Sequence, residues 1–248
     1  MKKISAYQLI TILATLVTIT VNALANSLPL NGLSTGEISD RFEIYFVPAG
    51  YVFSIWGLIY LGLIIYTIYQ ALPAQKDNQA LKRIAPAYWL GSLANSFWIF
   101  LWHFEVFPLT LIVMLGILAS LLYIYLQLKN SEDSQKWLVK LPFSIYLGWI
   151  TVATVANTSQ FLFYFNWGGW GITGAVWAVI MIAVASLLGL LMIWRENDTP
   201  YLLVLVWAFI GITVSQAPTA IVTTAAWTAV AVLAVGVLIT LIKHRKMY

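Results

Sequence analysis

The hydrophobic positions of this chain form long, uncharged runs rather than short alternating segments. A helix needs about 20 mostly apolar residues to cross the hydrocarbon core of a bilayer. Runs of suitable length occur eight times, at residues 7–25, 50–72, 86–102, 109–128, 141–165, 172–194, 201–217 and 219–242. The pattern therefore predicts an all-α fold, a polytopic transmembrane helix bundle of eight spans.

The second span opens with an aromatic stripe. Pro48 is suited to the first turn of a helix, so we expect this helix to begin near it. Phe53, Trp56 and Tyr60 follow at i, i+3 and i+7 and share one helical face. Such a stripe more often reflects helix packing than a ligand site. Both interpretations stay open from this span alone.

Polar side chains recur on single faces of the first, third and fifth spans. Trp149, Ala153 and Asn157 follow at steps of four, and the small Ala153 makes a notch between larger neighbours. A notch of this kind admits either a neighbouring helix or a flat ligand. Asn22 and Asn95 lie within spans, where an amide without a hydrogen-bond partner costs several kcal/mol. Spans six to eight are plainer and look like packing helices.

The longest connection between spans covers residues 26–47. A loop of this length is either a lid over a cavity or a solvated linker, and the sequence favours neither. His103 and Glu105 lie in a very short turn after the third span, where side chains usually face water. We therefore expect these two residues to be solvated.

Composition and charge agree with a membrane protein. The chain has 248 residues, 61% hydrophobic and 9% charged, with a mean hydropathy of +0.87. Soluble proteins average about 25% charged residues. If the N-terminus is inside the cell, eight spans leave only Arg41 of the thirteen basic residues outside. Because Lys and Arg are retained in cytoplasmic loops, we expect both termini to be cytoplasmic, in a multi-pass protein of a bacterial plasma membrane.

The first run admits a second interpretation. Lys2-Lys3, an apolar run and Ala23-Leu24-Ala25 resemble a signal peptide with its cleavage site, but the run is long for one. We therefore expect an uncleaved span. The net charge of +4 is spread over the cytoplasmic loops, so it reflects topology and does not indicate nucleic-acid binding.

Residues that usually carry catalysis are scarce. The chain has no cysteine, which rules out disulfides and thiol catalysis. Its two histidines, His103 and His244, fall on opposite membrane faces in the predicted topology. They cannot then form a metal site or an acid–base pair within one chain. We expect no metal site and no enzymatic activity.

Three segments together resemble the TspO/MBR family of tryptophan-rich sensory proteins, also called translocator proteins, which are five-helix membrane proteins. The family carries proline, aromatic-x-Phe and Trp-x-x-x-Tyr on its second helix, Asn-x-x-Trp on its third and Trp-x-x-x-Ala-x-x-x-Asn on its fifth. These motifs are matched, in order, by Pro48, Tyr51, Phe53, Trp56, Tyr60, Asn95, Trp98, Trp149, Ala153 and Asn157. Tyr51 stands where the family usually has tryptophan. On this resemblance, residues 1–165 form a five-helix core and residues 166–248 a three-helix membrane extension.

The resemblance implies a cavity among the helices that binds a hydrophobic ligand for sensing or transport. The ligand would be a tetrapyrrole such as protoporphyrin or haem, although no cofactor is demanded by the pattern. Its lining residues would be Tyr51, Phe53, Trp56, Tyr60, Asn95, Trp98, Trp149, Ala153 and Asn157, with Asn22 as an addition. The expected partners are the lipid bilayer, a hydrophobic small molecule and, as an alternative to a monomer, a second copy in a homodimer.

Two other functions remain open. Degradation of a bound pigment enters only by analogy with the family. A facilitative transporter of a small uncharged solute is the main alternative, with the same stripes lining a path. No charged residue lies within any predicted span, which argues against a charge-selective pathway but not against facilitated diffusion.

Overall fold

The computed structural model describes residues 4–28, 30–129 and 136–245. Within these ranges the secondary structure is helical, with no strand. The helices are α1 (Ala6–Ser27), α2 (Thr35–Asp40), α3 (Ile55–Ala71), α4 (Gln79–His103), α5 (Phe107–Lys129), α6 (Lys136–Tyr164), α7 (Gly174–Glu196), α8 (Thr199–Ser215) and α9 (Ala220–Arg245). Short 3-10 turns lie at Leu30–Gly32, Gly50–Ser54, Pro73–Gln75 and Gly169–Gly171. Except for the short α2, each helix coincides with one predicted span, so the predicted all-α bundle is confirmed.

The helices expose apolar side chains, as a bilayer requires. Six segments of the described chain are long and apolar enough to cross a membrane: Ala6–Ser27, Gly50–Ala71, Phe107–Lys129, Trp137–Tyr164, Gly174–Glu196 and Ala220–Ile242. α8 is apolar but shorter, and α4 is 25 residues long. Leu90, Leu93 and Ile112 are 66%, 68% and 65% exposed. The chain is a multi-pass integral membrane protein.

The long helices pack in two groups. α1, α3, α6, α5 and α4 contact one another in that order, and α4 packs back on α1 to close a five-helix ring. α7, α8 and α9 pack against one another as a three-helix group, and α8 joins it to the ring through α6. At that junction a Cβ added to Gly148 would lie 3.1 Å from the Val204 Cβ, so glycine lets the two helices approach closely.

Some helices begin elsewhere than predicted. α4 begins at Gln79 rather than Pro86, because the Asn78 side chain caps it by accepting from two amides of the first turn at 3.0 and 3.2 Å. Hydropathy identifies only the apolar part of a helix, so it did not predict the polar first turns of α4. α3 begins at Ile55, since the segment after Pro48 first forms a 3-10 turn.

Residues 30–54, which we call the covering loop, fold over one end of the bundle. The first half packs on α4, where the Trp102 indole donates to the carbonyl of Thr35 over 3.1 Å. Thr35 Oγ1 also lies 3.2 Å from His103 Nε2, and Arg41 forms an ion pair with Glu105. The prediction that His103 faces water was wrong: its exposure is 0%, because both ring nitrogens lie within hydrogen-bond distance of the covering loop.

The second half of the covering loop packs on α8. Ala49 donates its amide hydrogen to the carbonyl of Gly211 over 3.1 Å, and the Ser215 hydroxyl donates to the carbonyl of Val47 over 2.6 Å. The loop is therefore a folded cover that joins the five-helix ring to the three-helix group. We call this side of the molecule the loop-covered end. The opposite, basic end carries Lys76, Lys82, Arg83, Lys129, Lys140 and Arg195.

Candidate ligand-binding site

An aromatic cluster forms where α3 meets α6. The Trp56 ring stacks on Tyr60 with centroids 5.6 Å apart, and its edge contacts Tyr146 at 5.8 Å. Trp149 contacts Trp56 at 6.3 Å and Phe53 at 5.7 Å, both in edge-to-face geometry. Such pairs add about 0.5–1.5 kcal/mol each beyond burial. The aromatic stripe of the second span therefore faces the stripe of the fifth.

A chain of buried amides and a phenol leads from α1 to this aromatic cluster. Asn22 Nδ2 donates to Asn95 Oδ1 over 2.7 Å, and Asn95 Nδ2 donates to the Tyr146 hydroxyl over 3.0 Å. The two asparagines are only 2% and 1% exposed. Because each amide meets a partner from another helix, the chain fixes α1, α4 and α6 relative to one another.

A second buried chain joins α4, α5 and α6. The Trp98 indole donates to Asn157 Oδ1 over 3.0 Å, and Asn157 Nδ2 donates to the Thr110 hydroxyl over 2.8 Å. Trp98 also stacks on Trp102, with ring centroids 5.1 Å apart. Since Trp102 holds the covering loop, this chain connects the interior of the five-helix ring to its cover.

Two donors on the same α6 stripe have no hydrogen-bond partner among the described residues. They are the indole nitrogen of Trp149 and the amide nitrogen of Gln160, whose side chains are 3% and 2% exposed. A buried donor without an acceptor costs about 1–3 kcal/mol. Both donors carry this cost unless another molecule supplies an acceptor.

The remaining predicted residues lie differently. Ala153 is half-buried between the two polar chains. Tyr51 is separated from the aromatic cluster: it is 46% exposed, and its ring contacts Trp207 of α8 at 5.4 Å. The structure thus brings Phe53, Trp56, Tyr60 and Trp149 together, pairs Trp98 with Asn157, and places Tyr51 outside these contacts.

Three residues that make buried polar or aromatic contacts were not predicted from the sequence. Tyr146 lies three residues before Trp149, so extending the α6 stripe by one step would have found it. Thr110 gave no signal, because a single threonine near the start of an apolar span is unremarkable. Asp198 was missed because it lies between spans, although Asp-Thr-Pro is a recognisable helix start.

Asp198 is a buried carboxylate near the basic end, 3% exposed. Its Oδ2 accepts from the Tyr125 hydroxyl over 2.6 Å, and its Oδ1 accepts from the hydroxyl of Ser144. Oδ1 also accepts from the Tyr201 amide over 3.1 Å and so caps α8. The residue joins α5 and α6 of the ring to the start of α8.

Two cavities lie elsewhere. One, of about 510 Å³, lies between α6, α7 and the covering loop; the other, of about 430 Å³, is an apolar cleft between α3, α6 and α8. None of the nine predicted residues lines either cavity. These two cavities are therefore distinct from the aromatic cluster.

Among the described residues, the acidic side chains lie near the ends of the helices or in the covering loop. The described residues include no group of three or more metal-ligating side chains. In the covering loop, hydrogen bonds from the Ser34 backbone and hydroxyl lower the pKa of Glu37. Burial and the neighbouring Glu37 charge raise the pKa of Asp40.

Comparison with protein families gives one match, to a family described as TSPO-like protein, over residues 8–239. The matched range begins in α1 and ends in α9, so it includes the three-helix group as well as the five-helix ring. Comparisons with curated proteins and with solved structures found no match.

Proposed function

This chain belongs to the TSPO-like protein family, and from that membership we propose that it binds a hydrophobic ligand of tetrapyrrole type within the five-helix ring, for sensing or transport. A tetrapyrrole is flat and largely apolar, with nitrogens at its centre and carboxylates at one edge. Aromatic walls with a few hydrogen-bonding groups suit such a molecule.

The observation that carries the proposal is the unpartnered indole N–H of Trp149. It is buried between the rings of Phe53 and Trp56, where water has little access. A ligand acceptor at this point would offset the cost of leaving the donor unpaired, about 1–3 kcal/mol. The apolar remainder of the ligand would stack against the same rings.

Entry of a ligand would involve the aromatic rings and the covering loop. Phe53, Trp56 and Tyr60 are only partly buried, so their rings have room to turn. The covering loop closes the end of the five-helix ring and is held to α4 by the hydrogen bonds of Trp102 and His103. Opening of this loop would expose the buried chain that includes Trp98.

The test is a titration of the detergent-purified protein with protoporphyrin, followed by the absorbance of the porphyrin. We expect saturable binding that weakens about tenfold in Trp149→Phe, which keeps a ring and removes the N–H. Ala153→Leu, which fills the notch, should weaken binding further. Absorbance is the better readout, because the variant also removes one fluorescent tryptophan.

Trp194→Phe is the matched control, since Trp194 is 77% exposed on α7 and far from the aromatic cluster. It should bind protoporphyrin as the unchanged protein does. Equal binding in all four proteins, or no saturable binding in any, would contradict the proposal.

A second measurement separates sensing from transport. Proteoliposomes should release entrapped porphyrin faster than protein-free liposomes if the bound ligand crosses the membrane. Binding without accelerated release would favour a sensor.

A further inference from the structure

The 510 Å³ cavity at the loop-covered end is a site that the proposed function does not use. α6 and α7 are joined by a short glycine-rich turn but contact each other little, so they leave a space between them. The covering loop closes one side of that space through Ile44, Tyr45 and Phe46. Phe46 rests on Phe209 of α8 at 6.5 Å, which holds this wall in place.

Aromatic rings form part of the wall of the cavity. Trp167 and Trp177 contribute two indoles whose centroids are 5.3 Å apart, and Tyr45 and Phe163 add two more rings. Indole and phenol rings carry negative charge on their faces, so they attract cations as well as apolar groups. An apolar molecule with a positive charge would use both properties.

Three of the polar side chains on the wall donate their hydrogens within the protein. The hydroxyls of Thr158 and Ser159 donate to carbonyls of their own helix over 2.8 and 3.0 Å. The Trp177 indole donates to the carbonyl of Gly169 over 3.0 Å. These three side chains therefore present mainly oxygen lone pairs and ring faces to the cavity. The Trp167 indole and the Tyr45 hydroxyl are the other side-chain donors among the lining residues.

The charge at the mouth of the cavity also favours a cation. Glu43 is exposed and is the one charged residue that lines the cavity. The ion pairs among the described residues are Arg41–Glu105, Lys82–Asp77 and Lys129–Glu196, so Glu43 is left without a basic partner in that part of the chain. At the loop-covered end Arg41 is the one basic residue against Glu37, Asp40, Glu43 and Glu105.

Helix dipoles do not reverse this preference. The carboxyl end of α6 and the amino end of α7 both lie beside the cavity, so their partial charges oppose each other. The Thr173 side chain also accepts from an amide of the first turn of α7 over 3.4 Å. The carboxylate and the ring faces therefore decide which charge the cavity favours.

We propose that this cavity binds small apolar organic cations, with the apolar body packed against the rings of Trp167 and Trp177 and the positive charge near Glu43. The site depends on the three-helix group, because α7 forms one of its walls. It is separate from the tetrapyrrole site, whose residues lie inside the five-helix ring.

The test compares tetraphenylphosphonium with tetraphenylborate, two probes of nearly the same shape and opposite charge. The full chain is placed in nanodiscs of zwitterionic lipid, and binding is measured by equilibrium dialysis against protein-free nanodiscs. We expect saturable binding of the cation at one site and no saturable binding of the anion. Added salt should weaken the binding of the cation.

Two variants locate the site. Glu43→Gln changes an exposed side chain and should weaken cation binding about five- to tenfold. Ser159→Phe fills the cavity and should abolish it, provided that thermal unfolding shows a folded protein. Glu37→Gln is the control: it removes a carboxylate of the same loop that does not line the cavity, and binding should change less than about twofold.

Several outcomes would overturn the proposal: no saturable binding of the cation, equal binding of the two probes, or cation binding unchanged in both Glu43→Gln and Ser159→Phe. Protoporphyrin binding should be unaffected by Glu43→Gln. Failure at this cavity is therefore distinguishable from failure at the aromatic cluster.

Discussion

Replacement of Asp198 by alanine should destabilise the junction between the five-helix ring and the three-helix group. The carboxylate accepts hydrogen bonds from Tyr125 at 2.6 Å, from Ser144, and from the Tyr201 amide at 3.1 Å. Alanine would leave two hydroxyls without their acceptor and remove the cap of α8. Because the site is 3% exposed, water would not readily replace the carboxylate.

The magnitude follows from these three bonds. Hydrogen bonds between helices in membrane proteins average about 0.6 kcal/mol and reach about 1.7 kcal/mol. Loss of an N-cap costs typically about 1 kcal/mol. We therefore expect Asp198→Ala to lower the free energy of unfolding by about 2–4 kcal/mol. Tyr125→Phe, which removes one bond, should cost about 1 kcal/mol.

Asp198→Asn should be milder than alanine. The asparagine oxygen can keep the bonds that Oδ1 makes to Ser144 and Tyr201, and its amide can donate to the Tyr125 oxygen. The order of stability should therefore be wild type, Asn, then Ala.

The assay is unfolding of purified protein in mixed micelles by increasing SDS, followed by circular dichroism and tryptophan fluorescence. Asp77→Ala serves as the control, since Asp77 is 83% exposed in its pair with Lys82 and should change stability by less than about 0.5 kcal/mol. The double variant of Tyr125→Phe with Asp198→Ala should have a free energy of unfolding at most about 0.5 kcal/mol below that of Asp198→Ala alone. Asp198→Ala already removes the hydrogen bond to Tyr125, so the second substitution has no bond left to break. Full additivity, or an Asp198→Ala variant as stable as the Asp77→Ala control, would refute the reasoning.

Three further predictions concern the covering loop and the orientation of the chain. Gly211→Ala would place a Cβ 2.2 Å from Val52, so it should release the loop from α8 and speed proteolysis between residues 30 and 54, whereas Gly116→Ala, with nothing within 4 Å, should not. Ser34→Ala should return the lowered pKa of Glu37 toward its ordinary value in an NMR titration. That pKa is lowered in the folded loop, so the cap of α2 should be fully present above the ordinary Glu pKa and should be lost as the pH falls through the lowered pKa. Amide protection in α2 that rises with acidification would contradict this. A reporter fused after Tyr248 should be cytoplasmic, since lysine and arginine are retained on that side, and an external signal would mean a reversed chain or an odd number of spans.

The spans and their inward faces could be read from the sequence because both are local properties. Each apolar run of the chain became a helix, and the stripe residues Asn95, Trp98, Trp149 and Asn157 all became buried. An unpaired amide is too costly in hydrocarbon to face lipid, so periodicity indicated which side of the first, third and fifth spans turns inward.

The sequence did not predict which residues on these inward faces contact one another. Asn22 meets Asn95 across 73 positions, and Trp98 meets Asn157 across 59. Such pairings depend on the order in which helices pack, and a run of about 20 residues carries no information on its neighbours in space. Tyr51 shows the consequence, because it continues the motif of the second span yet contacts Trp207 in α8.

The sequence by itself determined that the chain is an all-α membrane bundle with polar or aromatic stripes on its first, second, third and fifth predicted spans, since hydropathy and helical period act within single segments. Only the tertiary structure decided that those five helices close into a ring, that the covering loop joins α4 to α8, and that Asp198 is buried where α5, α6 and α8 meet. Those features arise from contacts between segments distant in the chain, and their energies appear only when the helices are packed together.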